Sequence, residues 1–199
     1  CYNPPDNMTS LPKNTDTIDV KNSKITSSSG AAVLVRGSLE DTLNYENTHV
    51  VGSSDDHVLF SSDVYIYPGG SDVVPVDVGT VTVNAVGSAL EGDIVVASGK
   101  VDFNLLKGTL LTGAFRVSET GTVLDRLSLD AASVWQVTGS SALNSLDSSG
   151  VVAFLSPQNG GFKTLTIKND FTSDGTLLVL NTKLGDDNSE TDKLVIEGD

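Results

Sequence analysis

Cysteine is almost absent from this 199-residue chain, and long apolar segments are missing altogether. Cys1 is the single cysteine, so no disulfide can form within the chain and no thiolate cluster can hold a metal ion. No apolar run approaches the roughly 20 residues that span a bilayer. The first residues, CYNPPDNMTS, lack the basic and apolar regions of a signal peptide. We therefore expect that any targeting signal has been removed or lies outside this sequence.

Basic residues and strong helix formers are also scarce. Twelve Lys and Arg face 26 Asp and Glu, giving a net charge of -14. Because like charges repel, this charge argues against nucleic acid or an anionic membrane as partner. The chain has only 6 Glu and 10 Ala, but 25 Val, 24 Ser, 20 Asp, 19 Thr and 19 Gly. Val and Thr favour strands, whereas Asp, Ser and Gly favour turns, so the composition predicts an all-β protein.

Short apolar runs with a period of two recur from Ile18 onwards, each closed by Gly, Asn, Asp or Ser. Examples are VTV at 81–83, IVV at 94–96 and LSL at 127–129. This alternation places one side of each strand in a core and the other side in water. Both an antiparallel sandwich or barrel and a solenoid are compatible with such short strands.

Internal repeats favour the solenoid. Four segments read small residue, Ser or Thr, apolar residue, Leu, and they start at Gly87, Gly108, Gly121 and Ser140. The first and last pairs are 21 and 19 residues apart, whereas the middle pair is 13 apart. A coil of about 20 residues is the natural unit for such a spacing. In that geometry one aliphatic ladder would stack inside the coils, formed by Leu90, Leu111, Leu124 and Leu143.

The last 65 residues or so contain six elements in a fixed order. They are a strand with Trp135, a Ser-x-Leu-x-x-Leu turn, a Val-x-Phe strand, a Leu-x-Ile strand, a Leu-x-Leu-Asn-Thr strand and Thr-Asp-Lys-Leu-x-Ile-x-Gly at 191–198. This order resembles the C-terminal passenger region of pertactin-like autotransporters, and the last element is its most specific part. The resemblance implies a right-handed, single-stranded parallel β-helix. It also implies that the C-terminal coils, often called the autochaperone region, fold first and template the coils behind them.

Three regions follow from this resemblance. An irregular segment at 1–16 precedes the coils of a passenger stem at 17–134 and an autochaperone-like region at 135–199, which is truncated at its end. The implied partners are the passenger's own C-terminal outer-membrane β-barrel, which is not in this sequence, and the outer-membrane assembly machinery. The implied location is the bacterial cell surface, or the medium after release, reached through the periplasm. We interpret the chain as an excised or processed passenger fragment.

Bulky apolar residues are more frequent in the last third of the chain than in the stretch 61–100. Because a solenoid coil contacts only its neighbours, folding can start at the end with the best core and propagate. We therefore predict a C-terminal folding nucleus that consists of Trp135, Val137, Leu143, Leu146, Phe154, Phe162, Leu165, Ile167, Leu178, Leu180, Leu194 and Ile196.

Residues suited to catalysis are few and scattered. The only imidazoles belong to His49 and His57, and the second has Ser53, Ser54, Asp55 and Asp56 before it. A triad needs groups that converge in space, whereas adjacent strand residues point to opposite faces, so we interpret this cluster as chance. Solenoid lyases need Arg or Lys beside clustered carboxylates, but the three arginines, Arg36, Arg116 and Arg126, lie far apart in the sequence. We expect no catalytic residue and no enzyme activity.

An oxygen-rich segment at 185–192 is the one candidate for calcium, but it lacks the spacing of an EF-hand loop and the nonapeptide repeats of calcium-binding solenoids. We interpret it as a solvated connection and expect no metal and no cofactor. Tyr65-Ile-Tyr67-Pro-Gly-Gly predicts either an extended rib or a turn that leaves the coil, and loops of this kind are where partners bind. Poor alternation between Asp41 and Asp56 indicates a further excursion.

Three functions remain open. The first is a surface stem for adhesion or self-association, with another stem or a host surface receptor as partner. A face lined by Ser, Thr and Asp favours it, because hydrogen bonds between stems accumulate over many coils. The second is a stalk that displays an upstream effector, such as a protease or a domain that binds a host factor. The third is a polysaccharide-cleaving solenoid.

Overall fold

A computed structural model describes residues 15–37, 40–53, 55–66, 75–76, 78–157, 161–186 and 189–198. These residues form 22 strands, β1 to β22 in chain order, and no helix. In particular, the described part of the chain has no helix that is long and apolar enough to cross a membrane. Of the segment predicted to be irregular, residues 1–14 lie outside the described ranges, and the last two residues already belong to β1.

All strands except β7 and β8 belong to three parallel sheets. Sheet 1 consists of β1 (Thr15–Lys21), β4 (Glu40–Glu46), β9 (Thr80–Val86), β12 (Lys100–Leu106), β15 (Leu124–Leu129), β17 (Ser141–Ser148), β19 (Thr164–Ile167), β20 (Phe171–Ser173) and β22 (Lys193–Ile196). Sheet 2 consists of β2 (Lys24–Thr26), β5 (His49–Val51), β10 (Ala89–Glu91), β13 (Leu110–Gly113), β16 (Val134–Val137), β18 (Val151–Phe154) and β21 (Leu177–Val179). Sheet 3 consists of β3 (Val33–Arg36), β6 (Val58–Asp63), β11 (Asp93–Val96) and β14 (Phe115–Arg116).

Up to β14 the chain visits the three sheets in turn, and after it the chain continues in sheets 1 and 2. Every strand of the three sheets pairs in parallel with a strand one coil away. The predicted parallel β-helix is thereby confirmed, and the antiparallel sandwich is excluded. Strand pairing does not define the handedness of the coil, so the right-handed twist stays a prediction.

The coils differ in length, whereas the sequence predicts a uniform coil of about 20 residues. Hydrogen-bonded side chains in neighbouring coils are 19 residues apart for Asn144 and Asp125 but 40 apart for Asn84 and Asn44. The longest coil contains an antiparallel hairpin outside the three sheets, formed by β7 (Tyr65–Ile66) and β8 (Pro75–Val76). Of the two alternatives predicted at Tyr65, the hairpin favours the turn that leaves the coil, and Tyr67 lies outside the described residues. The excursion expected between Asp41 and Asp56 is wrong, because β4 and β5 are regular strands there.

The core lies between the sheets, and its rows run along the helix axis. In sheet 2 the inward row contains Leu90 and Leu111, followed by Trp135. Leu124 and Leu143 stack on each other in sheet 1 instead. The prediction of one ladder of four leucines is therefore wrong, although all four side chains are buried. The 13-residue spacing between the two middle segments is shorter than a coil, so it moves the pattern to another sheet.

Four aromatic side chains cross the core as a continuous stack. Ring centroids are 5.3 Å apart for Phe60 and Phe103, 6.5 Å for Phe103 and Phe115, and 4.8 Å for Phe115 and Trp135, all edge to face. The indole Nε1 of Trp135 donates a hydrogen bond to the carbonyl oxygen of Gly113 at 3.0 Å. Edge-to-face pairs add specific geometry to the apolar area that they bury, so the stack helps to fix which coil follows which.

Hydroxyl groups satisfy the buried backbone at the corner between sheets 1 and 2. The backbone N–H of Thr48 donates to Ser88 Oγ at 3.0 Å, and that of Ser88 donates to Thr109 Oγ1 at 3.2 Å. All three residues are buried. Because an unpaired amide inside a protein is costly, this hydroxyl row allows the chain to turn tightly without losing backbone hydrogen bonds.

Candidate functional site: an aspartate clamp in the last coils

Most of the predicted folding nucleus lies in the core, but its last members do not. Seven residues are at most 4% exposed: Trp135, Val137, Leu143, Leu146, Phe154, Leu165 and Ile167. Leu178 and Leu194 pack partly buried against them, and Phe162 is half-buried. Leu180 and Ile196 are 40% and 47% exposed, so these two members of the predicted nucleus lie outside the core. Both lie in the last coil, where β21 and β22 end their sheets and have a neighbour on one side only. That these residues nucleate folding stays a prediction.

One buried carboxylate joins three segments of the last coils. Asp192 is 2% exposed and precedes β22 directly. Its Oδ1 accepts a hydrogen bond from the backbone N–H of Lys163 at 2.7 Å. Its Oδ2 accepts one from the backbone N–H of Asn181 at 2.9 Å and one from Asn181 Nδ2 at 2.6 Å. The start of β22 is thereby tied to the residue before β19 and to the turn after β21.

The same side-chain amide and a buried lysine extend these contacts to the end of β18. Asn181 Nδ2 also donates to the carbonyl oxygens of Phe154 at 3.0 Å and Leu155 at 3.2 Å. Lys163 Nζ donates to the carbonyl oxygen of Leu155 at 2.6 Å. We refer to Leu155, Lys163, Asn181 and Asp192 together as the aspartate clamp.

A short antiparallel bridge closes the chain between Asn181 and Asp192 of the clamp. Thr182 and Thr191 form this bridge, and their Oγ1 atoms are 2.9 Å apart. Thr191 Oγ1 donates to the carbonyl oxygen of Asn181 at 3.1 Å, and the backbone N–H of Asp192 donates to the same oxygen at 2.9 Å. The Asn181-Thr182 and Thr191-Asp192 pairs of the sequence motif are therefore hydrogen-bonded to each other. The interpretation of 185–192 as a solvated connection is wrong at its last residue.

Hydrogen bonding outweighs burial in setting the pKa of Asp192. Burial by itself raises the pKa of this carboxyl group, but the donors of Lys163 and Asn181 and the positive charge of Lys163 lower it below its ordinary value. Asp192 is therefore ionised at neutral pH, where all three donors have a charged acceptor. Hydrogen bonds to an ionised acceptor are stronger than those between neutral groups. The negative charge of Asp192 therefore strengthens the three hydrogen bonds that it accepts in the clamp.

The sequence cluster around His57 does not converge into a site. His49 Nε2 lies 2.7 Å from Glu91 Oε1, whereas His57 occupies a turn with φ of 53°. The hydroxyl oxygen of Ser53 is buried and accepts a hydrogen bond from the backbone N–H of Asp56 at 3.3 Å. Ser54 lies outside the described residues.

The other candidates for ligand chemistry are equally dispersed. Arg36 and Arg116 pair with Asp63 and Asp93 respectively, on different strands of sheet 3. Within the described ranges, no three His, Cys, Asp or Glu side chains come together as a metal site. Asp187 and Asn188 of the oxygen-rich segment lie outside those ranges.

Sequence reasoning missed a ladder of amides on the outer face of sheet 1. Asn44 Nδ2 donates to Asp19 Oδ1 at 2.7 Å, Asn84 Nδ2 donates to Asn44 Oδ1 at 2.9 Å, and Asn104 Nδ2 donates to Asn84 Oδ1 at 2.9 Å. Each of the four residues stands between two apolar residues in the first strand of its coil. That local pattern is a usable signal, because an outward amide between two inward apolar side chains recurs once per coil.

Comparison with protein families gives a match that covers the coils of the clamp. Residues 141–199 match the family model described as Autochaperone Domain Type 1. No curated protein and no solved structure gave a significant match. The resemblance inferred from the last third of the sequence is confirmed at the level of the autochaperone domain and is consistent with an autotransporter passenger.

Proposed function

We propose that this chain, which has an autochaperone domain at residues 141–199, is a non-catalytic passenger stem whose last coils nucleate its folding during secretion. An autotransporter passenger is exported to the cell surface or beyond it, and the stem would reach that place through the periplasm. The aspartate clamp is the observation that supports nucleation. It lies within the matched residues, and it combines contacts between coils with two contacts that are short in sequence.

Sequence separation explains why such contacts matter for folding. Elsewhere in the stem, a strand finds its partner a whole coil away, for example 25 residues between Asn44 and Asp19. The clamp also has a contact over 29 residues, between Lys163 and Asp192, but it adds two short ones: Asn181 and Asp192 are 11 residues apart, and Lys163 and Leu155 are 8 apart. Closing a long loop costs entropy before any contact offsets it, so topologies with distant contacts fold slowly. A region with short-range contacts therefore forms first, and each further coil then packs on an existing one.

Two leucine variants test this proposal. Leu165 and Leu90 are both fully buried in strands, one in the matched region and one in the middle of the stem. Replacing either with alanine should cost about 2–5 kcal/mol. We expect Leu165→Ala to slow refolding by about tenfold or more, and Leu90→Ala mainly to accelerate unfolding. Stopped-flow fluorescence of Trp135 after dilution from urea measures both rates. Equal slowing of refolding in the two variants would contradict nucleation at the C-terminal end.

The polar ladder on sheet 1 favours adhesion or self-association as a second role of the stem. Its side chains lie on an outward face in four successive coils, so they place similar hydrogen-bonding groups along one line. The proposed partners are another stem or a host surface receptor, besides the outer-membrane assembly machinery and the passenger's own membrane anchor during export. Aggregation of cells that display the passenger would support this role. A stalk that only displays an upstream effector would leave such cells dispersed.

A further inference from the structure

A charged irregularity lies in sheet 1 where β12 meets β15. In β12 a single residue, Asp102, separates two buried apolar residues, whereas in β15 two residues, Asp125 and Arg126, do so. Strand pairing aligns Asp102 with Arg126 and leaves Asp125 as the extra residue. A bulge of this kind redirects side chains locally. It brings an acidic group and a basic group to the one carboxylate of β12.

The carboxylate of Asp102 is poorly solvated. Its Oδ1 atom is buried, and it has no hydrogen-bond partner among the described residues. A charged oxygen without water or a donor is unfavourable, because nothing compensates for the lost hydration. The strand on the other side, β9, has no ionisable residue that could compensate for it.

Neighbouring charges add to this cost. Burial raises the pKa of Asp102, and the negative charge of Asp125 raises it further. The positive charges of Arg126 in β15 and Lys100 in β12 lower the pKa but offset only part of the rise. Asp102 is therefore the carboxylate of this cluster that gains most from taking up a proton.

We propose that Asp102 and Asp125 form a proton-sensitive joint between two coils, which stabilises the middle of the stem when the medium becomes mildly acidic. Protonation of Asp102 removes a desolvated charge and its repulsion by Asp125, and it supplies a hydroxyl donor beside that carboxylate. The joint lies outside residues 141–199, so it is independent of the proposed nucleation.

The direction of the pH effect follows from the raised pKa. An aspartate in the unfolded chain has a pKa of about 3.9, and that of Asp102 in the folded chain is higher. The stabilisation is therefore fully present below about pH 4 and is lost as the pH rises through the folded pKa. The contribution of Asp192 has the opposite sense, because its folded pKa is lowered. Mild acid thus stabilises the middle coils at a pH where the aspartate clamp is still intact.

Asp102→Asn imitates the protonated side chain, because it keeps the shape, removes the charge and can donate a hydrogen bond. Amide hydrogen exchange compares this variant with the wild type at equal pH, from neutral down to about pH 4. At neutral pH we expect severalfold slower exchange in the variant, in peptides from 100–106 and 124–129. The difference should vanish as the pH falls and the wild type takes up its proton.

Asp147→Asn is the matched control, since Asp147 is an exposed aspartate in β17 of the same sheet. It should exchange like the wild type at every pH. Far-UV circular dichroism establishes that both variants are folded. Equal exchange of Asp102→Asn and the wild type at neutral pH would overturn the joint, and so would a difference that persists unchanged to pH 4.

A double-mutant cycle tests whether the two carboxylates act together. Asp125→Asn keeps a side-chain oxygen for the hydrogen bond from Asn144 Nδ2, which is 3.1 Å long. At neutral pH this variant should also slow exchange, because it removes the repulsion. In the Asp102→Asn background it should add little. Fully additive effects of the two substitutions would overturn the joint as a pair.

Nuclear magnetic resonance of the side-chain carboxyl carbons gives a reading that needs no substitution. The signal of Asp102 should titrate at a higher pH than an ordinary aspartate does. A midpoint at or below the ordinary value would overturn the joint. The refolding rates of the two leucine variants decide the nucleation proposal separately.

Discussion

Replacing Asp192 with alanine should unfold the last coils selectively. The change leaves two backbone donors without their acceptor, the N–H groups of Lys163 and Asn181, and removes one of the three acceptors of the Asn181 side-chain amide. Each buried donor without a partner costs about 1–3 kcal/mol. Because the variant no longer desolvates a carboxylate, part of this cost is offset, and we expect a net loss of about 3 kcal/mol.

Amide hydrogen exchange followed by mass spectrometry measures this loss locally. A loss of about 3 kcal/mol corresponds to exchange on the order of 100-fold faster in peptides from 161–198, and peptides from 80–106 should change little. Glu190→Ala is the matched control, because its exposed carboxylate is 4.0 Å from Lys183 Nζ and such surface pairs contribute little. If Asp192→Ala and Glu190→Ala exchange alike, the clamp does not stabilise these coils.

Acid should remove the same contribution. The folded-state pKa of Asp192 is lowered, so the stabilisation is fully present above the unfolded pKa of about 3.9 and is lost as pH falls towards the folded pKa. The difference in exchange between the wild type and Asp192→Asn should therefore shrink below about pH 4. If the difference in exchange between the two proteins stays constant below pH 4, the charge of the carboxylate is not the source of the stabilisation.

Two further substitutions test the packing of the coils by urea unfolding. Gly113→Ala should cost more than about 2 kcal/mol, because its Cβ would overlap the backbone carbonyl of Gly92, whereas Gly139→Ala meets a methyl group at 3.3 Å and should cost less than about 1 kcal/mol. Asn84→Ala removes one ladder bond to each neighbouring coil and should cost about 1–2 kcal/mol. Thr82→Ala, at another outward position of the same strand, should cost less, and an equal cost would count against the ladder.

The inner positions of the strands could be predicted from the sequence, because a thin coil buries only one side of each strand. The alternation in VTVNAV places Val81 and Val83 inside, as the structure shows. The stacking of coils could not be predicted in the same way. Since the coils differ in length, no fixed period leads from Leu111 to its true partner, Trp135.

The contacts of the aspartate clamp could not be predicted from the local sequence either. Its motif was visible as a resemblance, but the carboxylate of Asp192 looked like one more acidic residue in a polar connection. Its burial depends on Lys163, which is 29 residues away, and on Asn181, and neither position is marked by a regular pattern. The exposure of Leu180 and Ile196 has the same origin, because burial in a coil depends on a neighbouring coil rather than on the residue itself.

The 40-residue coil has a consequence for how such a stem can change over time. The hairpin of β7 and β8 leaves the stem after β6, yet β9 resumes the register of β4 without a shift. The residues between β6 and β9 are thus accommodated without any shift in the strand pairing that holds the coils together. Sequence can be gained, lost or exchanged at that corner while the axial core remains the same.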